Sequence, residues 1–129
     1  MLDVALLPGE YAVCRLPAGS TLPPQLWDGL ADGDVVTVTW TAEGSSLICP
    51  VDRAPAQVVV ETDWRCLRIV GPEELPLTGI LAALVGPLAQ ARVNVVAFST
   101  YDTDHVLVPS VRLAEATSAL ERAGHRVHK

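Results

Sequence analysis

The chain has 129 residues, half of them hydrophobic and 19% charged, which excludes a protein kept disordered by low hydrophobicity and high charge. Its formal net charge of -6, with no cluster of lysine or arginine, disfavours nucleic acids and anionic lipid surfaces as partners. The longest apolar run, Gly79 to Ala89, is too short to cross a bilayer, and the first residues lack the pattern of a secretory signal. We therefore expect a cytoplasmic protein.

The first half of the chain predicts strands separated by short turns and helices. Ala42 to Ser45 has the composition of a turn between two strands, which predicts a hairpin. The predicted elements are a strand at Tyr11 to Leu16, a short helix at Gln25 to Leu30, strands at Val35 to Trp40 and Ser46 to Cys49, one helical turn near Asp52 to Pro55, and a strand at Val58 to Val60.

The second half predicts the same order more plainly. Apolar residues recur at helical spacing after Gly79, with Thr78 as a candidate N-cap, and Pro87 is expected to kink or split that helix. The predicted elements are a strand at Trp64 to Val70, this helix, a hairpin of Asn94 to Ser99 with His105 to Val108, a helix at Leu113 to Ala123 closed by Gly124, and a strand at His125 to His128.

The two predicted hairpins align without a gap when the sequence is shifted by 59 positions. Thr41 then matches Thr100, Glu43 matches Asp102, and Pro50 matches Pro109. A match of this kind indicates a duplicated unit. We predict an α+β fold of two tandem ferredoxin-like βαββαβ units, residues 1–62 and 63–129, each an antiparallel sheet backed by helices.

The cysteines, histidines and tryptophans are interpreted mainly as structural residues. Cys14, Cys49 and Cys66 lie in apolar strands with no CxxC pair, so we expect buried free thiols and no metal site. His125 and His128 are expected at the surface of the last strand. The tryptophans Trp40 and Trp64 are expected in the core, whereas Trp27 is a candidate for an exposed contact.

The densest polar cluster runs from Ser99 to His105 at the tip of the second hairpin. Such residues often only form a turn, because their side chains bond neighbouring backbone groups. The other interpretation is a ligand rim, in which the Thr100 hydroxyl and the Asp104 carboxylate hold a cationic group such as an ammonium. Both interpretations stay open at this point.

The start of the second predicted helix is the other candidate site. Gly79 opens this helix, and the first amides of a helix have no intrahelical acceptor. These amides and the helix dipole favour an anion such as the carboxylate of an amino acid. A glycine at this position is also ordinary helix-start chemistry.

Four segments carry a resemblance: Val70 to Pro72, Leu77 to Leu81, Pro87 to Ala89 and Phe98 to Val108. Together they resemble one known family, the tandem ACT family. More narrowly, the chain resembles bacterial relatives of the ACT pairs in animal cytosolic arginine sensors of the CASTOR type, which are akin to the regulatory region of aspartate kinases. The resemblance implies an allosteric ligand sensor whose ligand lies at an interface between ACT units.

The resemblance also implies which residues bind the ligand. Backbone contacts fall on Thr78, Gly79 and Ile80, and hairpin contacts fall on Thr100, Tyr101 and Asp104. Arginine-binding members carry an acid two positions before the helix-opening glycine, where this chain has Leu77, so a guanidinium would lose a charge partner. One ACT pair per chain, where the animal sensors have two, implies a homodimer.

Two other classes of function, an enzyme and a ligand-free scaffold, differ from a sensor in the residues they need. An enzyme would need a nucleophile beside a base, and the nearest approach is Asp104 with His105, whose side chains point to opposite faces of a strand. We therefore expect no catalysis and no cofactor. A ligand-free ACT scaffold for dimerisation or partner docking is the alternative, although it would not require the polar hairpin or Gly79.

Overall fold

A computed structural model describes residues 1–56, 58–72 and 78–129. Two compact units are present: the first unit is Pro8–Asp63, and the second unit combines Met1–Leu7 with Trp64–Lys129. The strands are β1 (Asp3–Leu6), β2 (Tyr11–Pro17), β3 (Thr37–Thr41), β4 (Gly44–Pro50), β5 (Val59–Gly71), β6 (Val96–Ser99), β7 (Asp104–Pro109) and β8 (Arg126–His128). The helices are α1 (Ile80–Gln90) and α2 (Leu113–Arg122), with 3-10 turns at Pro24–Leu26, Val51–Arg53 and Ser110–Arg112.

The first unit is built on an antiparallel sheet in the order β3, β4, β2. Tyr11 lies opposite Pro50, and Thr41 lies opposite Gly44 at the hairpin turn. Alternate residues of these strands point into one apolar core, because side chains alternate between the two faces of a strand. The buried members of this core are Ala12, Cys14, Leu16, Leu26, Leu47 and Cys49.

The predicted helix at Gln25 to Leu30 is wrong. Only a 3-10 turn forms, at Pro24–Leu26. The guanidinium of Arg53 donates to the carbonyl oxygens of Gln25, Asp28 and Gly29 at 2.7 to 3.0 Å, so these oxygens are satisfied without helical hydrogen bonds. Gly29 also has a positive φ of 66°, which no α-helix accommodates.

The second unit has a sheet in the order β6, β7, β5, β1, β8. The short strand β1 was not predicted; it runs antiparallel to β5 and parallel to β8. Both helices cover one face of this sheet, and apolar side chains at alternate positions of β5 and β7 point toward that face. The buried core of the unit comprises Leu2, Val4, Leu67, Ile69, Leu84, Leu88, Val93, Val106, Val108, Ala116 and Leu120.

The helix α1 differs from expectation at two points. Its N-cap is Gly79, with a left-handed φ of 86°, and not Thr78, and no side chain among the described residues caps this end. Pro87 lies inside the helix, which continues from Ile80 to Gln90 without the expected split. Pro87 cannot donate to the Ala83 carbonyl oxygen, and the His125 ring lies 2.9 Å from that oxygen instead.

The internal repeat is visible in the secondary structure. At the same shift of 59 positions, β3 matches β6, β4 matches β7, and the 3-10 turn at Val51–Arg53 matches that at Ser110–Arg112. The predicted α+β class with tandem ferredoxin-like units is therefore confirmed. In the described part of the first unit, the helical positions hold single 3-10 turns instead of α-helices.

Burial agrees with the sequence for some residues and disagrees for others. All three cysteines are buried free thiols, as predicted. The side chain of Trp40 is 66% exposed at the end of its strand, so its expected core position is wrong, whereas Trp64 is half-buried and Trp27 is exposed. His125 is buried instead of lying at the surface, because both of its ring nitrogens find backbone partners. His128 is exposed as expected.

Candidate ligand-binding site

The strand directions place both candidate clusters at one end of the second unit. The strands β5 and β6 each run antiparallel to β7, so they end at the same edge, at Gly71 and Ser99. The hairpin tip at 100–103 lies at this edge. The Ala83 carbonyl oxygen, near the start of α1, lies 2.9 Å from the His125 ring, whose other nitrogen accepts from the Leu2 amide. Leu2 directly precedes Asp3, which pairs with Gly71, so the start of α1 lies at the same end of the unit.

The helix start offers backbone groups to a ligand. Gly79 adopts a φ of 86°, which favours glycine on backbone grounds alone, since a Cβ at this position would meet none of the described residues within 4 Å. The Gly79 carbonyl accepts a hydrogen bond from the Ala83 amide at 2.9 Å. The amides at the start of α1, including that of Ile80, have no intrahelical acceptor and carry the positive end of the helix dipole.

The Thr100 hydroxyl serves the hairpin turn. It accepts hydrogen bonds from the amides of Asp102 and Thr103 at 3.2 and 3.3 Å, and the Thr100 amide donates to the Thr103 carbonyl at 2.9 Å. In the first unit the Thr41 hydroxyl likewise accepts from the Glu43 amide at 3.2 Å. The turn interpretation of the polar cluster therefore accounts for Thr100.

Asp104 keeps one carboxylate oxygen for other partners. The Ser99 hydroxyl donates to Oδ1 at 2.6 Å, while Oδ2 has no hydrogen-bond partner among residues 1–56, 58–72 and 78–129. The Thr103 hydroxyl donates to the Ile69 carbonyl at 2.6 Å and anchors the tip to β5. Tyr101 projects from the tip fully exposed. Ser99 and Thr103 orient this hairpin, and sequence reasoning did not assign them roles beyond the polar cluster.

The side chain of His105 is buried next to the hairpin tip. Its ring stacks on Phe98, with centroids 4.9 Å apart and planes inclined by 10°, and only 3% of the residue is exposed. Arg68 lies opposite it on β5. Burial lowers the pKa of His105, and the positive charge of Arg68 lowers it further against the opposing effect of Asp104. The imidazole is thus kept neutral beside the Asp104 carboxylate.

A separate groove lies at the other end of α1. It has a volume of about 440 Å³ and is lined by Ala91, Ala114, Glu115, Ser118 and Arg122. None of the residues predicted to bind ligand lines this groove. Within the described ranges, no three His, Cys, Asp or Glu side chains converge to hold a metal ion, and no helix is long and apolar enough to span a bilayer.

Comparisons with known proteins agree with this fold. A family model described as ACT domain matches residues 59–122. A crystal structure of a protein from Agobacterium tumefaciens is 32% identical, covers 98% of this chain and 91% of its own, and superposes with a TM-score of 0.87. The regulatory subunit of aspartate kinase from Thermus thermophilus, at 16% identity, covers 93% of this chain and 96% of its own with a TM-score of 0.62, a likeness of fold.

A curated relative gives a narrower match. The human cytosolic arginine sensor for mTORC1, subunit 1, is 38% identical over 60 residues, which are 46% of this chain and 18% of the sensor. The fold of the second unit is that of an ACT domain. The chain belongs to the ACT domain family.

Proposed function

We propose that the chain is a regulatory ACT protein that binds a small molecule through the polar end of its second unit, and that the ligand is an amino acid. The observation that carries this proposal is the Oδ2 atom of Asp104, which has no hydrogen-bond partner in the described part of the chain and lies at the same end of the unit as the Gly79 helix start. A carboxylate acceptor and a set of positive backbone amides match the ammonium and carboxylate groups of an amino acid.

The residues have distinct roles in this proposal. The backbone of Thr78, Gly79 and Ile80 holds the ligand carboxylate, and Asp104 holds the ammonium. Tyr101 covers the ligand from the rim. Thr100 maintains the turn that positions Tyr101 and Asp104. Leu77 lies outside the described residues, but its lack of charge favours an amino acid less cationic than arginine.

The proposed assembly is a homodimer in the cytoplasm, with the ligand at an interface between ACT units of two copies. Tyr101 is fully exposed and Leu81 is 38% exposed, and both belong to the end of the unit that carries the proposed site. A second copy covering these side chains would bury apolar surface and enclose the ligand. The role is regulatory and not catalytic, in keeping with the arginine sensor and the aspartate kinase subunit among its relatives.

A thermal-shift screen against the twenty common amino acids tests the proposal. A ligand that binds only the native state raises the apparent stability by RT ln(1 + [L]/Kd). We expect a saturable shift with one or a few amino acids, its loss in Asp104→Asn, and its retention in Asp102→Asn, which removes an exposed acid from the same tip. Equal shifts in both variants would reject the role of Asp104.

A ligand-free scaffold is the second candidate. The observation that favours it is the Thr100 hydroxyl, which the turn already uses, together with the exposed Tyr101 side chain. A dimer measured by light scattering, with no thermal shift from any amino acid at millimolar concentration, would support the scaffold. A dimer whose ligand shift disappears in Asp104→Asn would support the sensor.

A further inference from the structure

Pro87 removes one hydrogen bond from the interior of α1. Proline has no backbone N–H, so the carbonyl of the residue four positions earlier, Ala83, loses its helical donor. The ring nitrogen Nε2 of His125 lies 2.9 Å from this Ala83 carbonyl oxygen. The imidazole therefore supplies the donor that Pro87 lacks, and α1 continues through the proline.

The other nitrogen of His125 determines which tautomer does this. The Leu2 amide donates to Nδ1 at 2.9 Å, so Nδ1 is an acceptor and carries no proton. The ring proton consequently lies on Nε2, where it is donated to Ala83. Only 7% of His125 is exposed, and this buried ring joins the segment that leads into β1 to the middle of α1.

The same hydrogen-bond chain reaches the candidate ligand site. The Ala83 amide donates to the Gly79 carbonyl at 2.9 Å, so a continuous path runs from Leu2 through His125 and Ala83 to Gly79. The two bonds at Ala83 lie on adjacent peptide groups joined at its Cα, so holding the Ala83 carbonyl also restrains the peptide group that donates to Gly79. Gly79 is the residue whose left-handed conformation opens α1.

We propose that His125 is a positioning residue for the ligand site, because its neutral imidazole replaces the hydrogen bond lost at Pro87 and thereby fixes the first turn of α1. The effect of His125 on ligand affinity rests on the proposed function, whereas its hydrogen bond to α1 does not. The hydrogen-bond chain itself is testable without any ligand. His128, three residues further on and exposed, provides a matched control.

The first experiment is NMR of the 15N-labelled wild-type protein. We expect His125 to show the tautomer protonated at Nε2, with an unprotonated Nδ1. A ring protonated at Nδ1, or one that averages between tautomers, would overturn the proposal. This measurement needs no variant and so does not depend on any substitution folding.

The second experiment measures hydrogen exchange of the Ala83 amide in a double-mutant cycle. In the Pro87 background, His125→Ala should accelerate exchange at Ala83 by about tenfold, whereas His128→Ala should leave it unchanged. In the Pro87→Ala background, residue 87 can donate to the Ala83 carbonyl, and the effect of His125→Ala should fall below about threefold. Equal acceleration in both backgrounds would overturn the proposal.

Ligand affinity is the last readout. With the amino acid that gives the largest shift in the screen, His125→Ala should weaken binding by about fivefold, and His125→Gln, whose amide nitrogen can stand in for Nε2, should restore part of it. Unchanged affinity in His125→Ala would overturn the positioning role. Absence of binding by the wild type would reject the proposed function, while the exchange cycle would still decide the role of His125 at the helix.

Discussion

Arg53 and Arg112 are 59 residues apart and make the same contact in the two units. Arg53 donates to the carbonyls of Gln25, Asp28 and Gly29, which follow or lie within a 3-10 turn. Arg112 donates to the carbonyls of Ala91 and Arg92, at the C-terminal end of α1. Each arginine belongs to a 3-10 turn that follows a hairpin. Each donates to backbone carbonyl oxygens that accept no helical hydrogen bond.

This equivalence predicts parallel effects of substitution. Arg53→Ala and Arg112→Ala should each lower the free energy of unfolding by about 1–2 kcal/mol, because they leave three and two carbonyls, respectively, without a charged donor. Chemical denaturation measures the change. Arg15→Ala, at an exposed position of β2, is the control and should change stability by less than about 0.5 kcal/mol. A similar loss from all three variants would contradict the prediction.

Gly86 and Pro87 form a second pair with a testable dependence. A residue with a Cβ directly before proline is disfavoured in helical conformation, so glycine suits position 86. We expect Gly86→Ala to give no stabilisation in the wild type. In the Pro87→Ala background the same change should stabilise by about 0.5–1 kcal/mol, since a Cβ at position 86 meets no other part of the structure within 4 Å.

Thermal unfolding of the four combinations measures this dependence. Gly79→Ala is the control, because its φ of 86° makes any side chain unfavourable in both backgrounds. Stabilisation by Gly86→Ala in the wild type would show that the steric effect of the proline ring is negligible here.

The burial of His105 predicts a pH dependence of stability. Its pKa is lowered below the ordinary 6.5 by burial and by Arg68, against Asp104, so the unfolded chain binds a proton more readily than the folded chain. The stability contributed by the neutral ring is complete above about pH 6.5 and is lost progressively as the pH falls from there through the lower pKa of the folded protein. Unfolding midpoints measured from about pH 7 to about pH 5 should therefore decrease.

His105→Phe provides the comparison for this pH range. The phenyl ring can stack on Phe98 and does not titrate, so we expect a flatter curve than in the wild type. The same slope in both proteins would assign the pH dependence to other groups.

The buried thiols predict low reactivity. Burial raises the pKa of both Cys49 and Cys66 to about 12, and the nucleophile in thiol chemistry is the thiolate. In native protein at about pH 8, a thiol reagent should label these two cysteines at least about 100-fold more slowly than in denaturant. Three thiols should react once the chain unfolds. Native labelling at the denatured rate would contradict their burial.

Much of the fold was predictable because its signals are local. The hairpin strands β3 with β4 and β6 with β7, both regular helices and the repeat at 59 positions follow from alternation, helical spacing and turn residues. The failures depend on distant partners. The local sequence is consistent with a helix at Gln25 to Leu30. The carbonyls of Gln25 and Asp28 instead accept hydrogen bonds from Arg53, which is more than twenty residues away in the sequence.

The candidate site was predictable in part for the same reason. The hairpin tip and the helix start were found from composition and from the family resemblance, whereas the stacked ring of His105 was not. His125 was placed at the surface because nothing adjacent in sequence indicates that Pro87 leaves the Ala83 carbonyl without a donor. The roles assigned to Thr78, Gly79, Ile80, Thr100, Tyr101 and Asp104 stay predictions.

The position of β1 between β5 and β8 has a consequence for folding during synthesis. Leu2 leaves the ribosome more than a hundred residues before His125, its partner, so the second unit cannot close until nearly all of this sequence has been translated. Until then β1 has an unpaired edge, which is a site for association with other nascent chains. Contacts between residues so far apart in sequence also slow folding, so we expect the first unit, with its local pairings, to fold before the second.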